Sequence, residues 1–158
     1  MSFTDEVLDN VRGQDAYSFT NCFSGYHQIK IAPEDTRKMT FTMECGCFQY
    51  TVMPFGLKNV PMIFSHIVIT MFKEFIHKFS EVYFDEWTVF ELVKSHVASL
   101  HPIVDMCHKY YMTLNLKKCI FYVPFGILLF HVVCKQTLMV DPTKIVVIMN
   151  LEVQRNVK

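Results

Sequence analysis

The stretch Val82-Tyr83-Phe84-Asp85-Glu86-Trp87-Thr88-Val89-Phe90 places two adjacent acidic residues between two apolar runs. β-Branched and aromatic residues favour strands, and a short polar break between two such runs is typical of a β-hairpin. Two neighbouring carboxylates are costly to desolvate, because each loses water and repels the other. A bound cation would neutralise the pair. The stretch therefore predicts a hairpin that carries a divalent-metal site, with chemistry on phosphates as the first function to test.

Helices are predicted on both sides of this hairpin. Ahead of it, apolar residues recur at intervals of three and four, at Val60, Ile63, Phe64, Ile67, Val68, Met71, Phe72 and Phe75. This spacing predicts a helix with one buried face, with Asn59 as its N-cap and Pro61 in its tolerant first turn. Beyond the hairpin, Ser95 is expected to cap a second helix. Pro102 lies inside that helix, where a proline typically costs about 3 kcal/mol or forces a kink.

Shorter strand-like runs lie around these elements, at positions 17–23, 28–31, 38–43, 48–52, 120–123, 127–133 and 138–140. Thr4 is expected to begin a short helix, and Asp141-Pro142 to open another that continues into the C-terminus. The order of elements predicts an α+β domain, with a mostly antiparallel sheet and two main helices on one of its faces.

Composition limits the class of protein. The 158 residues are 51% hydrophobic and 15% aromatic, which is enough for one domain with a packed core. The 15 basic and 15 acidic residues cancel, so net charge neither indicates nor excludes a nucleic-acid partner. No apolar run reaches the ~18 residues of a membrane span, and the N-terminus is acidic, unlike a signal peptide. The six cysteines (22, 45, 47, 107, 119 and 134) lack the spacing of a zinc site. We therefore expect free thiols and an intracellular protein, cytoplasmic or nuclear, with no membrane partner.

Five short motifs occur in order: Ser24–Ile29 (SGYHQI), Val52–Leu57 (VMPFGL), Tyr83–Glu86 (YFDE), Leu114–Cys119 (LNLKKC) and Val140–Ile145 (VDPTKI). Together they resemble the reverse transcriptase domain of gypsy-type long-terminal-repeat retrotransposon Pol polyproteins. The resemblance extends from about Phe3 to Ile148, and five ordered motifs are far more specific than one. It implies a palm with part of the fingers over residues 1–148. Residues 149–158 would begin a truncated connection to the thumb.

The resemblance also implies a catalytic and metal-binding set. In the family, one Asp before the first motif and two in the hairpin hold two Mg²⁺ (or Mn²⁺) ions for RNA- and DNA-templated DNA synthesis. The corresponding positions here are Asn21, Asp85 and Glu86. Asn21 offers a neutral oxygen in place of an anion, and Glu86 is one methylene longer than Asp. Because positioning errors near 1 Å can cost roughly 100-fold in rate, we expect polymerase activity to be lost or very weak.

Further roles follow from the resemblance by position. Nucleotide binding is assigned to Phe23, Ser24, Gly25, Tyr26, Phe55, Gly56 and Phe84, and the primer grip to Leu129, Phe130 and His131. Tyr26 would be the steric gate against a 2′-hydroxyl, and Phe130 stands where the family has glycine. The implied partners are an RNA or DNA template-primer duplex and a dNTP. Taken singly, Tyr26, Phe55 and Phe84 are better explained as ordinary half-buried aromatics, and only the ordered set of motifs favours the functional interpretation.

Three hypotheses remain open from the sequence. The chain is a reverse-transcriptase-like polymerase domain with weak activity at best, an inert retrotransposon relic, or a non-catalytic nucleic-acid-binding module. Residues that break local or chemical rules are Asn21, Glu86, Pro102, Phe130 and Thr137. Several such violations without visible compensation favour loss of constraint. Oligomeric state is not predicted.

Overall fold

The computed structural model describes residues 4–151 of the chain. Within them the helices are α1 (Thr4–Val11), α2 (Val60–Phe72), α3 (His96–Lys109) and α4 (Pro142–Met149). The strands are β1 (Ala16–Asn21), β2 (Thr40–Met43), β3 (Gly46–Gln49), β4 (Ser80–Tyr83), β5 (Glu86–Glu91), β6 (Ile120–Val123), β7 (Phe125–Leu128), β8 (His131–Cys134) and β9 (Leu138–Val140). Single 3-10 turns occupy Gly25–Gln28 and Thr36–Met39.

An antiparallel sheet of order β4-β5-β1-β6 forms the centre of the molecule. Helices α2 and α3 pack on one face of it, where Phe64, Phe72, Trp87, Val89 and Ile103 share one buried cluster. Strands β4 and β5 contribute to this cluster because the apolar residues of the predicted hairpin alternate into it. The predicted α+β architecture, with two main helices on one face of an antiparallel sheet, is confirmed.

The other side of the sheet carries a smaller antiparallel sheet of order β7-β8-β9. Leu128 and Val133 of this sheet are buried together with Tyr17 and Phe90 of the central sheet. Gly126 lets β7 approach closely, since a Cβ atom there would collide with the ring of Phe19. The β7–β8 hairpin is therefore attached to the central sheet along one of its faces.

Several predicted bounds were wrong for identifiable reasons. The run 127–133 is two strands, because the chain turns back at Leu129-Phe130 between β7 and β8. The run 17–23 ends as a strand at Asn21. Gln28, expected to begin a strand over 28–31, instead closes the 3-10 turn Gly25–Gln28.

The helix predictions were largely correct. Helix α2 begins at Val60, directly after Asn59, but the Asn59 side chain makes no cap hydrogen bond and the helix ends at Phe72, before the predicted Phe75. Helix α3 continues through Pro102. Ser95 precedes α3 as predicted, although its hydroxyl donates to the carbonyl oxygen of Leu92 and does not cap the helix. Asp141 caps α4, where its side chain accepts a hydrogen bond of 2.9 Å from the backbone N–H of Thr143. The remainder of the predicted C-terminal helix, from residue 152 onward, lies outside the described residues, as does Phe3.

Cysteine side chains differ strongly in their surroundings. Cys22 and Cys107 are buried, whereas Cys45 and Cys47 are exposed on the β2–β3 hairpin, and all are free thiols. Between residues 4 and 151, no helix combines the length and the hydropathy needed to cross a bilayer.

Candidate functional site

Asn21, Asp85 and Glu86 meet at one end of the central sheet. Asn21 is the last residue of β1 and pairs directly with Glu86, the first residue of β5. The backbone N–H of Cys22 donates to the carbonyl oxygen of Asp85 at 3.2 Å. Phe84 and Asp85 form the two-residue turn between β4 and β5, and Phe84 has a φ of 54°. Strand register thus brings together the three positions predicted to be catalytic.

The charges at this sheet end interact with one another. Partial burial raises the pKa of Glu86 above its ordinary value, the neighbouring carboxylate of Asp85 raises it further, and the ammonium group of Lys118 opposes both. Lys118 follows the Leu114-Asn115 segment, which is held to β1 by a hydrogen bond of 2.8 Å from the Asn115 N–H to the Asn21 carbonyl. Two acidic groups and one basic group therefore share this corner of the molecule.

The oxygens of this set are of the type that hard divalent cations bind. Mg²⁺ takes carboxylate and carbonyl oxygens, and Asp85, Glu86 and the amide of Asn21 supply both kinds. Over residues 4–151 no three His, Cys, Asp or Glu side chains are grouped so that they would hold a metal ion. At this sheet end the third member of the set is Asn21, whose side-chain amide is neutral. The set fits a divalent cation in ligand chemistry but provides two negative charges.

The first sequence motif folds into a tight turn against α2. Ser24 has a φ of 47°, and a Cβ atom on Gly25 would lie 2.6 Å from the ring of Phe64, so only glycine fits there. The Tyr26 ring contacts Phe64 and also Phe55, with ring centroids 5.3 and 5.0 Å apart. Tyr26 is thereby fixed between α2 and the second motif.

The turn and the sheet end enclose a cavity of about 280 Å³, here called the strand-end cavity. Its lining residues come from β1, the first two motifs, the hairpin and the Asn115 segment: Asn21, Cys22, Phe23, Ser24, Gly25, Tyr26, Phe55, Asp85, Asn115 and Lys118. Five of the seven predicted nucleotide-binding residues are among them. Gly56 follows Phe55 with a φ of 93°, a conformation that favours glycine.

A second cavity of about 440 Å³, the hairpin cleft, lies between the β4–β5 turn and the β7–β8 turn. It is lined by Tyr26, Pro61, Tyr83, Phe84, Asp85, Glu86, Ile127, Leu129 and Phe130. Two predicted primer-grip residues, Leu129 and Phe130, thus face the acidic pair. His131 begins β8, and its Nδ1 lies 2.8 Å from the carbonyl oxygen of Leu129, so its ring supports the turn.

Sequence reasoning missed the hydrogen bonds that hold the first motif in place. The Nε2 of Gln28 donates to the carbonyl oxygen of Thr113 at 3.0 Å, and its Oε1 accepts from the Thr113 N–H at 2.7 Å. The N–H of Phe23 donates to the same Thr113 carbonyl at 2.9 Å. A glutamine side-chain amide can donate and accept hydrogen bonds at the same time. The glutamine at this position of the motif was therefore the sequence signal for such a clamp.

Comparison with protein families identifies the chain. The family model described as reverse transcriptase (RNA-dependent DNA polymerase) matches residues 2–152. The chain belongs to the reverse transcriptase family. The enzymatic polyprotein of Cauliflower mosaic virus (strain NY8153) is 33% identical over 115 residues, which is 72% of this chain and 17% of that protein. The retrovirus-related Pol polyprotein from transposon 297 of Drosophila melanogaster is 26% identical over 142 residues, 89% of this chain and 13% of that protein. This reverse transcriptase chain therefore spans less than a fifth of the length of these relatives.

Solved structures agree with the family at the level of the fold. The foamy viral protease-reverse transcriptase in complex with an RNA/DNA hybrid superposes with a TM-score of 0.85 and 20% identity, over 98% of this chain and 21% of that chain. The form of that protein in complex with double-stranded DNA gives 0.89 and 20%, over 98% of this chain and 27% of that chain. The reverse transcriptase fold predicted from the five motifs is confirmed.

Proposed function

We propose that this chain is the palm and partial fingers of a gypsy-type retrotransposon reverse transcriptase, and that it binds a template-primer while its polymerase activity is lost or very weak. The observation that carries the proposal is the meeting of Asn21, Asp85 and Glu86 at one sheet end. The three positions keep their arrangement, whereas one of the three expected negative charges is missing. The expected boundary between residues 148 and 149 and a cytoplasmic or nuclear location stay predictions.

The acidic pair supports a role in holding a cation. Asp85, Glu86 and the amide oxygen of Asn21 would hold Mg²⁺ or Mn²⁺, which in this chemistry activates the primer hydroxyl and stabilises the departing pyrophosphate. The chain supplies two anions for this purpose in place of three. Loss of one anion weakens cation binding, and the longer side chain of Glu86 displaces its oxygens. Both effects reduce the rate.

The surrounding residues support nucleotide and nucleic-acid binding. In the strand-end cavity, Phe23, Ser24 and Gly25 would present backbone to a triphosphate. Tyr26, fixed by its contacts to Phe55 and Phe64, would exclude a 2′-hydroxyl. The foamy viral relatives of similar fold are complexes with an RNA/DNA hybrid and with double-stranded DNA, and we propose the same class of partner here.

A non-catalytic nucleic-acid-binding module is the second candidate. The two cavities are lined by the aromatic residues Tyr26, Phe55, Phe84 and Phe130, whereas only two carboxylates, those of Asp85 and Glu86, are present. Such a module would keep affinity for a primer-template and need no cation.

Primer extension on a homopolymer template, with Mg²⁺ and then Mn²⁺, tests the proposal. The unmodified chain is compared with the double variant Asn21→Asp/Glu86→Asp. The matched control is Asn59→Asp/Glu86→Asp, which makes the same amide-to-carboxylate change at the N-cap of α2, outside the strand-end cavity. We expect extension by the first variant at least roughly 100-fold faster than by the unmodified chain and the control.

Each other result has a distinct meaning. Equal extension by the unmodified chain and the double variant would contradict the loss of activity. Silence from all three, with salt-dependent binding to the primer-template retained, would favour the binding module. Silence without binding at low salt would leave the inert relic.

A further inference from the structure

The aromatic ring of Phe130 lies at the tip of the β7–β8 hairpin, where 63% of the residue is exposed. Leu129 and Phe130 have φ values of 49° and 63°, so the two-residue turn has the φ signs of a type I′ turn. Such turns strongly favour Asn-Gly, and a bulky aromatic is unusual in one. Neither core packing nor turn preference explains a phenylalanine at this position.

Backbone contacts hold the turn, and a cation lies beside the ring. Leu128 pairs with His131 and closes the turn, while the N–H of Asp141 donates to the carbonyl oxygen of Phe130 at 2.8 Å. The ammonium group of Lys144 lies 4.9 Å from the centroid of the Phe130 ring. The ring therefore lines the hairpin cleft from a turn that is held on both sides, with a cation beside it.

We propose that Phe130 is a stacking platform for one unpaired nucleobase at a strand end, with Lys144 meeting an adjacent phosphate. This inference rests on the proposed function, because it names the form of nucleic acid that the cleft prefers. The base would enter the hairpin cleft between the Phe130 side and the Phe84-Asp85 side.

The chemistry of the cleft matches a nucleobase. Every base presents a π-face that can stack on an aromatic ring, and Phe130 offers such a ring in the lining of the cleft. The cleft volume of about 440 Å³ lies within the usual range of small-ligand sites. A base inside a duplex is already stacked on its neighbours, so it gains little from a further ring. An unpaired base gains the whole contact.

Affinity for a template-primer with one unpaired base at the primer 3′ end, measured by fluorescence anisotropy, tests this inference. The matched ligand carries an abasic residue at that position, and both are made as DNA and as RNA primers. The protein variants are Phe130→Ala and Phe130→Leu, the latter retaining apolar volume without a π-system. Phe125→Ala is the control, because Phe125 is 61% exposed at the start of the same hairpin.

The abasic change should weaken binding to the unmodified chain and to Phe125→Ala by roughly 5- to 150-fold, the range that one base stacked on one ring supplies. In Phe130→Ala and Phe130→Leu the abasic and intact ligands should bind alike, which is the coupling of a double-mutant cycle. Lys144→Gln should lower the slope of log affinity against log salt by about one.

Three results would overturn the inference. If the abasic substitution lowered the affinity of the unmodified chain and of Phe130→Ala by the same factor, the ring would not contact the base. Equal binding of both ligands by the unmodified chain would remove base stacking while leaving the proposed function intact. Absence of binding to either ligand at low salt would overturn the proposed function itself, and the inference with it.

Discussion

The β4–β5 and β7–β8 hairpins face each other across the cleft, and both close with two-residue turns. Phe84 begins the first turn with a φ of 54°, while Leu129 and Phe130 of the second have φ values of 49° and 63°. Glycine is the usual residue at such angles, and neither turn contains one. The two hairpins therefore share a strained kind of turn.

They differ in how the strain is supported. The strands of the first hairpin are mostly buried, with Val82, Trp87 and Val89 inside the main core, while Asp85 and Glu86 at its tip are exposed. The second buries Leu128 and Val133 on one face, and the rest of it is partly or fully exposed. Unfavourable backbone angles persist where surrounding packing over-determines them, so the first turn is better secured than the second.

The largest difference is expected on truncating one strand residue in each hairpin. Trp87→Ala should lower the free energy of unfolding by about 3–5 kcal/mol, because Trp87 is 1% exposed and packs on Phe72. The indole N–H has no hydrogen-bond partner within residues 4–151, so the lower end of that range is expected. Ile127→Ala, at an exposed position of β7, should change it by no more than about 0.5 kcal/mol. Urea unfolding measures both, and similar losses would remove the contrast between the hairpins.

A smaller effect tests the strain itself. Phe130→Gly should be more stable than Phe130→Ala by about 1 kcal/mol, because both lose the ring and only glycine relieves the positive φ. The same order is expected for Phe84→Gly and Phe84→Ala. At Phe125, in a regular strand, alanine should instead be the more stable by about 0.5–1 kcal/mol.

Thermal and urea unfolding of these six variants give the comparison directly. Suppose that the alanine variant were the more stable one at position 130 while the glycine variant were the more stable one at position 84. The second turn would then have relaxed away from positive φ in solution. That result would sharpen the contrast, since the less buried hairpin would then carry no strain.

The smallest expected effect concerns pH and the first hairpin alone. Partial burial, and then Asp85, raise the pKa of Glu86 above 4.5, so the folded state binds this proton more tightly than the unfolded state does. Its contribution to stability is complete below about pH 4.5 and is lost as pH rises through the folded pKa. Glu86→Gln should remove that decline. Parallel stability curves for the two proteins from about pH 4 to about pH 7, in chelator-treated buffer, would show that the carboxyl is fully solvated.

Elements with strong local signals were predictable. Helix α2 follows its apolar repeat from Val60, and the β4–β5 hairpin follows alternation on either side of the acidic pair. The β7–β8 turn was not predictable, because Leu129-Phe130 carries none of the Gly, Asn or Asp chemistry that marks a hairpin turn. A run of apolar residues without a turn signal is expected to be one strand.

The candidate site likewise has features that the sequence predicts and features that it does not. Its members were assigned by resemblance of the motifs, and the structure places Asn21 opposite Glu86 through the pairing of β1 with β5, two strands far apart in the sequence. No local pattern encodes that meeting. The Gln28–Thr113 clamp joins residues 85 positions apart, and the electrostatic effect of Lys118 on Glu86 likewise depends on tertiary structure.

Buried and exposed cysteines of this chain should react with thiol reagents at different rates, and this difference can report on local opening of the structure. Burial raises the pKa of Cys22 to about 12 and that of Cys107 to about 11, while Cys45 and Cys47 are exposed on the β2–β3 hairpin. Thiolates are the reactive form, so a maleimide dye at neutral pH attaches first to the outer pair. Cys22 directly follows Asn21 in the chain. The rate at which Cys22 is alkylated would therefore report how often this end of the sheet opens, without any engineered label.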